Sequence, residues 1–244
     1  MKILERSGVP RNKIIDGRVF KVPNLNFMRL MTEGIAYGIL DQVNFGSNLR
    51  MTYPMVYEIK NNDLFFSIGK KTYIGNIFIE GNGKIQGQLI IGSFSAVSWR
   101  VIFNLGLNRE HNYHNLSSYP VWSFEWAVPD ELKPEIKPTK IQIGNDVWIG
   151  KGCILKSTNP VKPLIIGDGA VIASDSVVVK NVPPYAIVGG NPAQVIKYRF
   201  DEKIIESLLR IKWWDWDIDK IHDNFKYFNQ VEKFVELNAN YLTN

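Results

Sequence analysis

The sequence predicts a mainly β protein: a left-handed parallel β-helix of hexapeptide repeats, with one large inserted loop and C-terminal capping helices. The first observation is a spacing of six residues between aliphatic or aromatic side chains, at positions 79, 85, 91, 97 and 103, then 143, 149 and 155, then 166, 172 and 178. The second is that a small residue often follows such a position and another often stands four places on, as in "IGKGCI". A fixed short period of this kind indicates a solenoid.

The six-residue period has a direct structural explanation. In an extended chain positions i and i+4 face the same way, so the large and the small side chain both point inward while glycine lets the chain turn. Six residues therefore form one short flat strand and a turn, and three such units form a coil that stacks on the next. A sandwich would give irregular spacing with hairpin turns, and a helix would give a period near 3.6. Hexapeptide coils wind left-handed, against the usual crossover rule.

The repeat divides the chain into three parts. Residues 1–65 are the least regular, and alternating stretches such as "YPMVYEI" predict strands that cover one end of the solenoid, with no role assigned. Residues 66–199 form the β-helix domain, interrupted by a loop at 104–142 and by a shorter insertion, "TNPVKPL", at 158–164. A solenoid accepts insertions only at its corners, and long loops in compact domains are more often functional than accidental.

Residues 200–244 change to a helical period. Asp201 is expected to cap a helix whose apolar face carries Ile204, Ile205, Leu208 and Leu209. A second amphipathic helix is expected to carry Ile218, Ile221, Phe225 and Phe228, and together the helices would cap the open end of the solenoid. The "WWDW" segment at 213–216 is interpreted as a packing element between these helices and the prism, because clustered indoles usually serve a core.

Composition narrows the classes of protein. A chain of 244 residues with 45% apolar content can bury the core of one large domain. Its net charge of +5 is spread along the chain, which argues against a nucleic-acid partner. Cys153 is the single cysteine and excludes a disulfide framework, which fits a reducing cytoplasm. The charged N-terminus lacks an apolar signal segment, and no membrane span is expected.

The large loop contains "REHNYHNLSSYP" at 109–120, which holds two of the three histidines. Paired histidines raise the alternative of a zinc site. The third histidine, His222, stands in the predicted C-terminal helices. This stretch of the loop adds Glu110 but no further histidine to complete a three-ligand site. We therefore expect no metal. Cys153 occupies an inward small position, where a thiol behaves as an apolar group, so an acyl-cysteine intermediate is not expected.

Three motifs in order, "IGNDVWIGKGCI", "YAIVGGNPA" and "WWDW", carry a family resemblance over residues 66–222. The chain resembles the left-handed β-helix acyltransferases, specifically the xenobiotic branch with streptogramin and chloramphenicol acetyltransferases. That branch also contains enzymes that acetylate sugars and polysaccharides. The resemblance implies acetyl-CoA as co-substrate and a homotrimer that holds coenzyme A in the groove between two subunits.

The resemblance also implies a catalytic residue. The family pattern H-x-x-D-W-x-S-T-[FY]-P places His111 at the position of the catalytic histidine, with His114 in place of Asp and Asn115 in place of Trp. An imidazole with a pKa near 6.5 suits the removal of a proton from an attacking hydroxyl. Tyr119 and His114 are expected to contact the acceptor, although His114 alternatively orients His111.

The residues expected at the cofactor are likewise implied by the resemblance. Trp148 is expected near the reacting centre, in contact with acceptor and cofactor, with a plain subunit contact as the alternative. The other positions that match cofactor contacts are Lys151, Ser174, Lys180, Lys197 and Arg199. Lys197 matches a basic residue near the adenosine phosphates, and Arg199 would replace a charge that Gln194 lacks. The alternative for these lysines and for Arg199 is that they belong to a solvated charged surface and do not contact the cofactor.

The function expected from the sequence is acetyl-CoA-dependent O-acetylation of a sugar or polysaccharide hydroxyl by direct transfer. A loop with Asn112, Asn115, Ser117 and Ser118, with Tyr113 or Trp122 as a stacking face, suits an acceptor rich in hydroxyls. An antibiotic of the streptogramin or chloramphenicol type is the alternative acceptor. Sugar N-acylation and a non-catalytic trimeric scaffold are the remaining alternatives.

Overall fold

The structure is a computed structural model that describes residues 36–39, 42–45, 49–50, 55–59, 64–75, 77–80, 87–108, 114–119, 129 and 136–239. The strands in chain order are β1 (Ala36–Ile39), β2 (Gln42–Phe45), β3 (Leu49–Arg50), β4 (Met55–Ile59), β5 (Leu64–Ile68), β6 (Tyr73–Ile74), β7 (Ile77–Glu80), β8 (Gly87–Ile91), β9 (Ala96–Val97), β10 (Val101–Asn104), β11 (Gly106–Asn108), β12 (Ile136–Ile143), β13 (Trp148–Ile149), β14 (Ile154–Lys156), β15 (Leu164–Ile166), β16 (Val171–Ile172), β17 (Val177–Val178), β18 (Ala186–Gly190) and β19 (Ala193–Tyr198).

The chain winds around three parallel sheets that form the faces of a prism. Sheet A pairs β5, β8, β12 and β15, sheet B pairs β6, β9, β13, β16 and β18, and sheet C pairs β7, β10, β14 and β17. Each coil runs from sheet A to sheet B to sheet C before returning one strand higher. This strand order confirms the predicted parallel β-helix.

The core is the interior of the prism, and the six-residue positions fill it. These side chains are at most 3% exposed at every described position of the predicted series: 79, 91, 97, 103, 143, 149, 155, 166, 172 and 178. Ile85, the remaining member of the series, lies outside the described residues. Cys153 and Ala170, at small inward positions, have no exposed surface. Identical inward positions thus stack into ladders, as the period predicts.

Antiparallel strands extend all three sheets at the N-terminal end of the prism. The β1–β2 hairpin pairs with β7 on sheet C, β3 pairs with β6 on sheet B, and β4 pairs with β5 on sheet A. These segments lie within the N-terminal region for which the sequence predicted strands. They cover backbone groups of the first coil that would otherwise be an open sheet edge.

The inserted loop is shorter than predicted. We expected it at 104–142, but β11 and the first residues of β12 form an antiparallel ladder at its base, and β12 continues in parallel with β8. The reason is inward alternation in β12, where Thr139, Ile141 and Ile143 are all buried. The insertion therefore leaves the prism after Asn108 and returns at Ile136, between sheet C and sheet A.

The C-terminal part contains α1 (Glu202–Ile211), α2 (Ile218–Asn224) and α3 (Val231–Ala239), with short 3₁₀ turns between them. Asp201 caps α1 as predicted, since its carboxylate accepts a hydrogen bond from the Ile204 backbone nitrogen. The helices pack along the corner between sheets A and B: the Trp213 ring contacts the Phe94 ring at a tilt, with the centroids 4.9 Å apart, and Lys70 donates to the Trp216 carbonyl at 2.8 Å. They reach from the last coils back to the first.

The second helix differs from the prediction. It ends at Asn224, and two residues expected on its apolar face, Ile218 and Phe225, are 56% and 68% exposed. The buried aromatic side chain of this region is Phe234, on α3, which the sequence analysis did not predict. The apolar period breaks because Phe225 begins a 3₁₀ turn instead of continuing the α-helix.

Candidate functional site

The side chains expected to bind the cofactor lie on sheet B and at the corner between sheets B and C, called the B–C corner here. Lys151 and Ser174 occupy equivalent turn positions on successive coils, two residues after the buried strand positions 149 and 172. The Asp175 backbone nitrogen donates to the Lys151 carbonyl at 2.8 Å, which fixes the stacking of the two turns. Both side chains are exposed. They form one column along the corner, with a rise of about 4.8 Å per coil.

Glycines make this column tight. A Cβ at Gly150 would stand 2.6 Å from the Ser174 backbone nitrogen, so successive coils approach as closely as backbone allows. Gly152 has a φ of +74°, a conformation that other residues adopt with strain. The turn therefore presents Lys151 as its projecting side chain, on a rigid backbone that the repeat itself supplies.

Trp148 stands on the outer face of sheet B beside that column. It pairs with Ala96 on one side and Val171 on the other, and its side chain is 58% exposed. An exposed indole is compatible with both expectations for Trp148, a substrate contact and a subunit contact, and its place at the reacting centre stays a prediction. Because the inward and outward positions of a strand alternate, the buried neighbour Ile149 forces Trp148 outward.

Lys197 lies directly across the strands of sheet B from Trp148. It pairs with Ile187, which pairs with Val171, the neighbour of Trp148. Residues directly paired across strands share a face, so Lys197 and Trp148 are three strands apart, or about 14 Å. The Lys197 side chain is exposed. The structure thus brings Trp148, Lys151, Ser174 and Lys197 to one continuous surface.

The histidine loop leaves the prism at a different corner, between sheets C and A. His114 and Tyr119 lie in the described segment 114–119 and are exposed, Tyr119 to 56%. His111, together with Tyr113 and Trp122, falls outside the described residues. Lys180 is exposed at this same C–A corner, six residues after Ser174 across sheet C. Six extended residues span up to about 20 Å, so the described candidates fall into two groups on one chain.

Arg199 has a structural role that the sequence analysis missed. Its Nη1 donates to the Asp146 carboxylate at 2.9 Å and to the Gly169 carbonyl at 2.7 Å, and the guanidinium lies 5.3 Å from the ring centroids of Tyr185 and Phe200. It follows the last residue of β19, where the chain turns toward α1. Arg199, which was expected beside the cofactor phosphates, therefore binds Asp146 and Gly169 at the A–B corner. Its contact with the cofactor stays a prediction.

Burial shifts the pKa values of two side chains in the cluster around Arg199, Asp146 and Tyr185. Desolvation raises the pKa of Asp146 above its usual value, and the nearby Arg199 opposes the shift. Desolvation also raises the pKa of Tyr185, whose hydroxyl is buried without a hydrogen-bond partner among the described residues. Gly169 makes room for this ring, because a Cβ there would stand 2.4 Å from Tyr185 Cε1. The cluster joins three coils to the C-terminal helices.

Cys153 is a core residue, as the sequence predicted. It is fully buried, and its Sγ donates to the Ala173 carbonyl at 3.1 Å. Burial raises the pKa of the thiol, which lowers the thiolate population available for nucleophilic attack.

The part of the chain that the structure describes holds no cluster of three or more histidine, cysteine or acidic side chains that could bind a metal ion. His222 is exposed there, with Nδ1 at 3.7 Å from Asp223. Nor does any helix of the described residues reach the length and apolar character needed to cross a bilayer.

Similar proteins include two antibiotic acetyltransferases. A chloramphenicol acetyltransferase of Klebsiella aerogenes is 43% identical over 136 residues, which is 55% of this chain and 62% of that protein. A probable macrolide acetyltransferase of Lysinibacillus sphaericus is 37% identical over 163 residues, 64% of this chain and 86% of that protein. A galactoside O-acetyltransferase of Escherichia coli strain K12 is 42% identical over a shorter stretch of 75 residues, 28% of this chain and 34% of that protein.

No protein-family model matches the chain. Among solved structures, a hexapeptide-repeat acetyltransferase of Vibrio cholerae is 23% identical, with a TM-score of 0.39 over 56% of this chain and 64% of that one. The macrolide acetyltransferase match spans most of that relative's length, and the described strands form the coiled prism that the repeat predicts. The chain therefore belongs to the xenobiotic branch of the hexapeptide-repeat acetyltransferases.

Proposed function

We propose that this protein transfers an acetyl group from acetyl-CoA to a hydroxyl of an antibiotic. The observation that carries the proposal is the exposed surface of Trp148, Lys151, Ser174 and Lys197 in a chain related to antibiotic acetyltransferases over more than half its length. The sequence alone favours a sugar hydroxyl. Two relatives that are 37% and 43% identical over more than half of this chain are antibiotic acetyltransferases, which favours the antibiotic alternative, so the acceptor proposed here is the antibiotic.

The donor is assigned to the surface of sheet B. Coenzyme A combines an anionic nucleotide with a long uncharged arm, and the surface offers Lys197 at one end and an exposed indole about 14 Å away. In this assignment Lys197 meets the phosphates, while Trp148 and Lys151 lie near the thioester. Ser174 contributes a hydroxyl between the two ends, and Lys180, at the C–A corner, contacts the cofactor held by sheet B of a neighbouring subunit.

The chemistry assigned to the loop is general base catalysis. His111 takes the proton of the acceptor hydroxyl as its oxygen attacks the thioester carbonyl carbon. Backbone N–H groups of the groove stabilise the tetrahedral oxyanion. Collapse of the intermediate breaks the carbon–sulfur bond, and the imidazolium returns the proton to the departing thiolate. His114 and Tyr119 contact the acceptor or orient the base, and no metal is assigned a role.

The active assembly in this proposal is a homotrimer in the reducing cytoplasm. The described loop residues and Lys180 lie at the C–A corner, whereas Lys151 and Ser174 lie at the B–C corner of the same chain. A closed three-fold ring sets one side of each copy against a different side of its neighbour, as a head-to-tail interface requires. Each site then combines the loop of one subunit with sheet B of another.

A sugar hydroxyl is the second candidate acceptor. It is favoured by the similarity to a galactoside O-acetyltransferase and by the exposed polar segment of the loop, which includes Asn115 and Ser117. Sugars present many hydroxyl groups and need donors and acceptors of this kind.

A competition experiment decides between the acceptors. Purified protein receives limiting acetyl-CoA with chloramphenicol, a macrolide, virginiamycin A, a galactoside and a nucleotide sugar at equal concentration, and mass spectrometry identifies the acetylated product. The proposal expects an antibiotic to be the preferred acceptor. Preferred acetylation of the galactoside or nucleotide sugar would transfer the assignment to the second candidate, and no product with any acceptor would contradict both.

A further inference from the structure

Trp99 is an exposed aromatic residue that neither the fold nor the assigned donor surface uses. Its side chain is 41% exposed and belongs to neither of the hydrophobic clusters formed by the described residues. Exposed indoles are uncommon outside binding surfaces because burying their large apolar area stabilises a fold. The other strongly exposed tryptophan among the described residues is Trp148, at 58%.

The repeat places Trp99 in the same corner column as Lys151 and Ser174. It stands two residues after the buried strand position 97, as Lys151 stands after 149 and Ser174 after 172. The Gly152 backbone nitrogen donates to the Trp99 carbonyl at 3.0 Å, so the two turns are stacked directly. Trp148 pairs with Ala96 of the Trp99 coil, which puts the two indole-bearing Cα atoms about 10 Å apart.

The position of Trp99 along the prism assigns it to the acceptor. Lys151 follows β13, Ser174 follows β16 and Lys197 lies on β19, so the donor residues advance toward the C-terminal end of sheet B, and Trp99 lies one coil beyond Lys151 in the opposite direction. The coil of Trp99 is also the one that continues through β10 and β11 into the histidine loop. The corner column therefore extends past the thioester end of the proposed donor surface. Its end at Trp99 lies at the height along the prism from which the histidine loop departs.

We propose that Trp99 is a specificity-determining residue of the acceptor site, and that its indole covers an apolar face of the acceptor. This inference rests on the proposed acetyl transfer. An apolar ring or macrocycle that packs on the indole removes water from both surfaces, which stabilises its binding without contact to the reacting atoms. The acceptor class expected from this contact carries a ring or macrocyclic face beside its reactive hydroxyl.

The test compares Trp99→Ala and Trp99→Phe with wild type. Phe225→Ala serves as the matched control, because Phe225 is an exposed aromatic residue of the C-terminal region, 68% exposed and away from the column. The Michaelis constants for acetyl-CoA and for the preferred antibiotic are measured for each protein. Thermal unfolding is followed in parallel, and an unchanged midpoint is expected because the Trp99 side chain lies outside both hydrophobic clusters.

Trp99→Ala is expected to raise the Michaelis constant for the antibiotic about tenfold while that for acetyl-CoA stays within about twofold. Trp99→Phe should recover most of the loss, and Phe225→Ala should match wild type. A rise for acetyl-CoA instead would assign Trp99 to the donor and overturn the inference. Unchanged constants for both substrates would also overturn it.

Binding separates this inference from the proposed function. Association of chloramphenicol and of the macrolide with each variant is measured by calorimetry in the presence of coenzyme A. If wild type binds an antibiotic without acetylating it, and Trp99→Ala binds it about tenfold more weakly, the inference stands while the proposed function fails. If wild type acetylates an antibiotic and Trp99→Ala binds it equally well, the inference fails alone. Absence of both binding and transfer contradicts both.

Discussion

Two loop histidines with different expected roles provide the first prediction at the residue scale. His111→Ala should reduce acetyl transfer by about 10²- to 10⁴-fold, because no other group then takes the hydroxyl proton. His114→Ala should cost less, since its role is contact or orientation. Steady-state rates measure the two losses, and calorimetric binding of coenzyme A, unchanged in both variants, is the control. A dead His114 variant beside a nearly active His111 variant would reverse the assignment.

Gly169 supplies the second prediction. Its φ is +69°, and an added Cβ would stand 2.4 Å from Tyr185 Cε1, so Gly169→Ala combines backbone strain with overpacking. The expected loss in free energy of unfolding is about 3 kcal/mol. Denaturant titration measures the loss.

Gly190→Ala is the matched control for Gly169→Ala. Its φ is +103°, but the nearest atom to an added Cβ is the Pro192 carbonyl oxygen at 3.6 Å, so strain is present without a clash. It should cost about 1 to 2 kcal/mol. Equal losses at the two glycines would show that contact with the Tyr185 ring contributes nothing.

At the scale of elements, Arg199 joins the β18–β19 hairpin to the corner that holds the C-terminal helices. Arg199→Met should destabilise the protein by about 2 to 3 kcal/mol, because it leaves the half-buried Asp146 carboxylate without its charge partner. Asp146→Asn should cost less than about 1 kcal/mol. An asparagine oxygen still accepts from Arg199, burial already disfavours the carboxylate, and asparagine tolerates the φ of 54° at this position.

Thermal and denaturant unfolding of the two variants distinguish this ion pair from simple packing. The arginine variant is expected to be the less stable of the two. A larger loss in free energy of unfolding for Asp146→Asn would mean that the negative charge of the carboxylate, and not its hydrogen bond with Arg199, stabilises the corner.

The sequence predicted the coils well because their information is local. Each buried ladder repeats a side-chain size at a fixed spacing, so Ile149 and Cys153 could be placed inside and Trp148 outside before any coordinates. The role of Arg199 could not be predicted in this way, since its partner Asp146 is 53 residues away and the contact depends on stacking between coils. The repeat does place Asp146 at a turn position equivalent to those of Gly169 and Phe94, so the sequence could have indicated that these turns stack.

The C-terminal elements show the limit of periodicity. The face of α1 followed the helical period and Leu208 is buried as expected, whereas α2 ends before the expected Phe225 and Phe228 can join its face. Tertiary packing decided this region: Trp213 contacts Phe94 of the prism and Phe228, and Phe234 of α3 completes the cluster. Trp99 was missed for another reason, because the turn column it shares with Lys151 and Ser174 becomes evident only when the coils are aligned.

For the whole molecule, the separation of the two corners predicts that inactive subunits complement each other. His111→Ala removes the proposed general base, and Trp148→Ala removes the exposed indole from sheet B. Co-expressed in one cell, the two variants should form mixed trimers in which some sites combine an intact loop with an intact sheet. Activity above that of either variant alone is expected, and purification through two different tags isolates the mixed species.

Light scattering gives the control for that assembly. A homotrimer of about three chain masses is expected for wild type and for each variant. A fully active monomer, or mixed assemblies no more active than the separate variants, would contradict a site shared between subunits.

The most direct measurement of the central claim is the release of coenzyme A thiol. Wild type and His111→Ala are each incubated with acetyl-CoA, with and without chloramphenicol, a macrolide or virginiamycin A, and free thiol is followed with a chromogenic disulfide. The proposed mechanism predicts rapid release from wild type only when an acceptor is present, and a loss of at least about 10²-fold in His111→Ala. Release that does not depend on an acceptor, or a His111→Ala variant as fast as wild type, would contradict it.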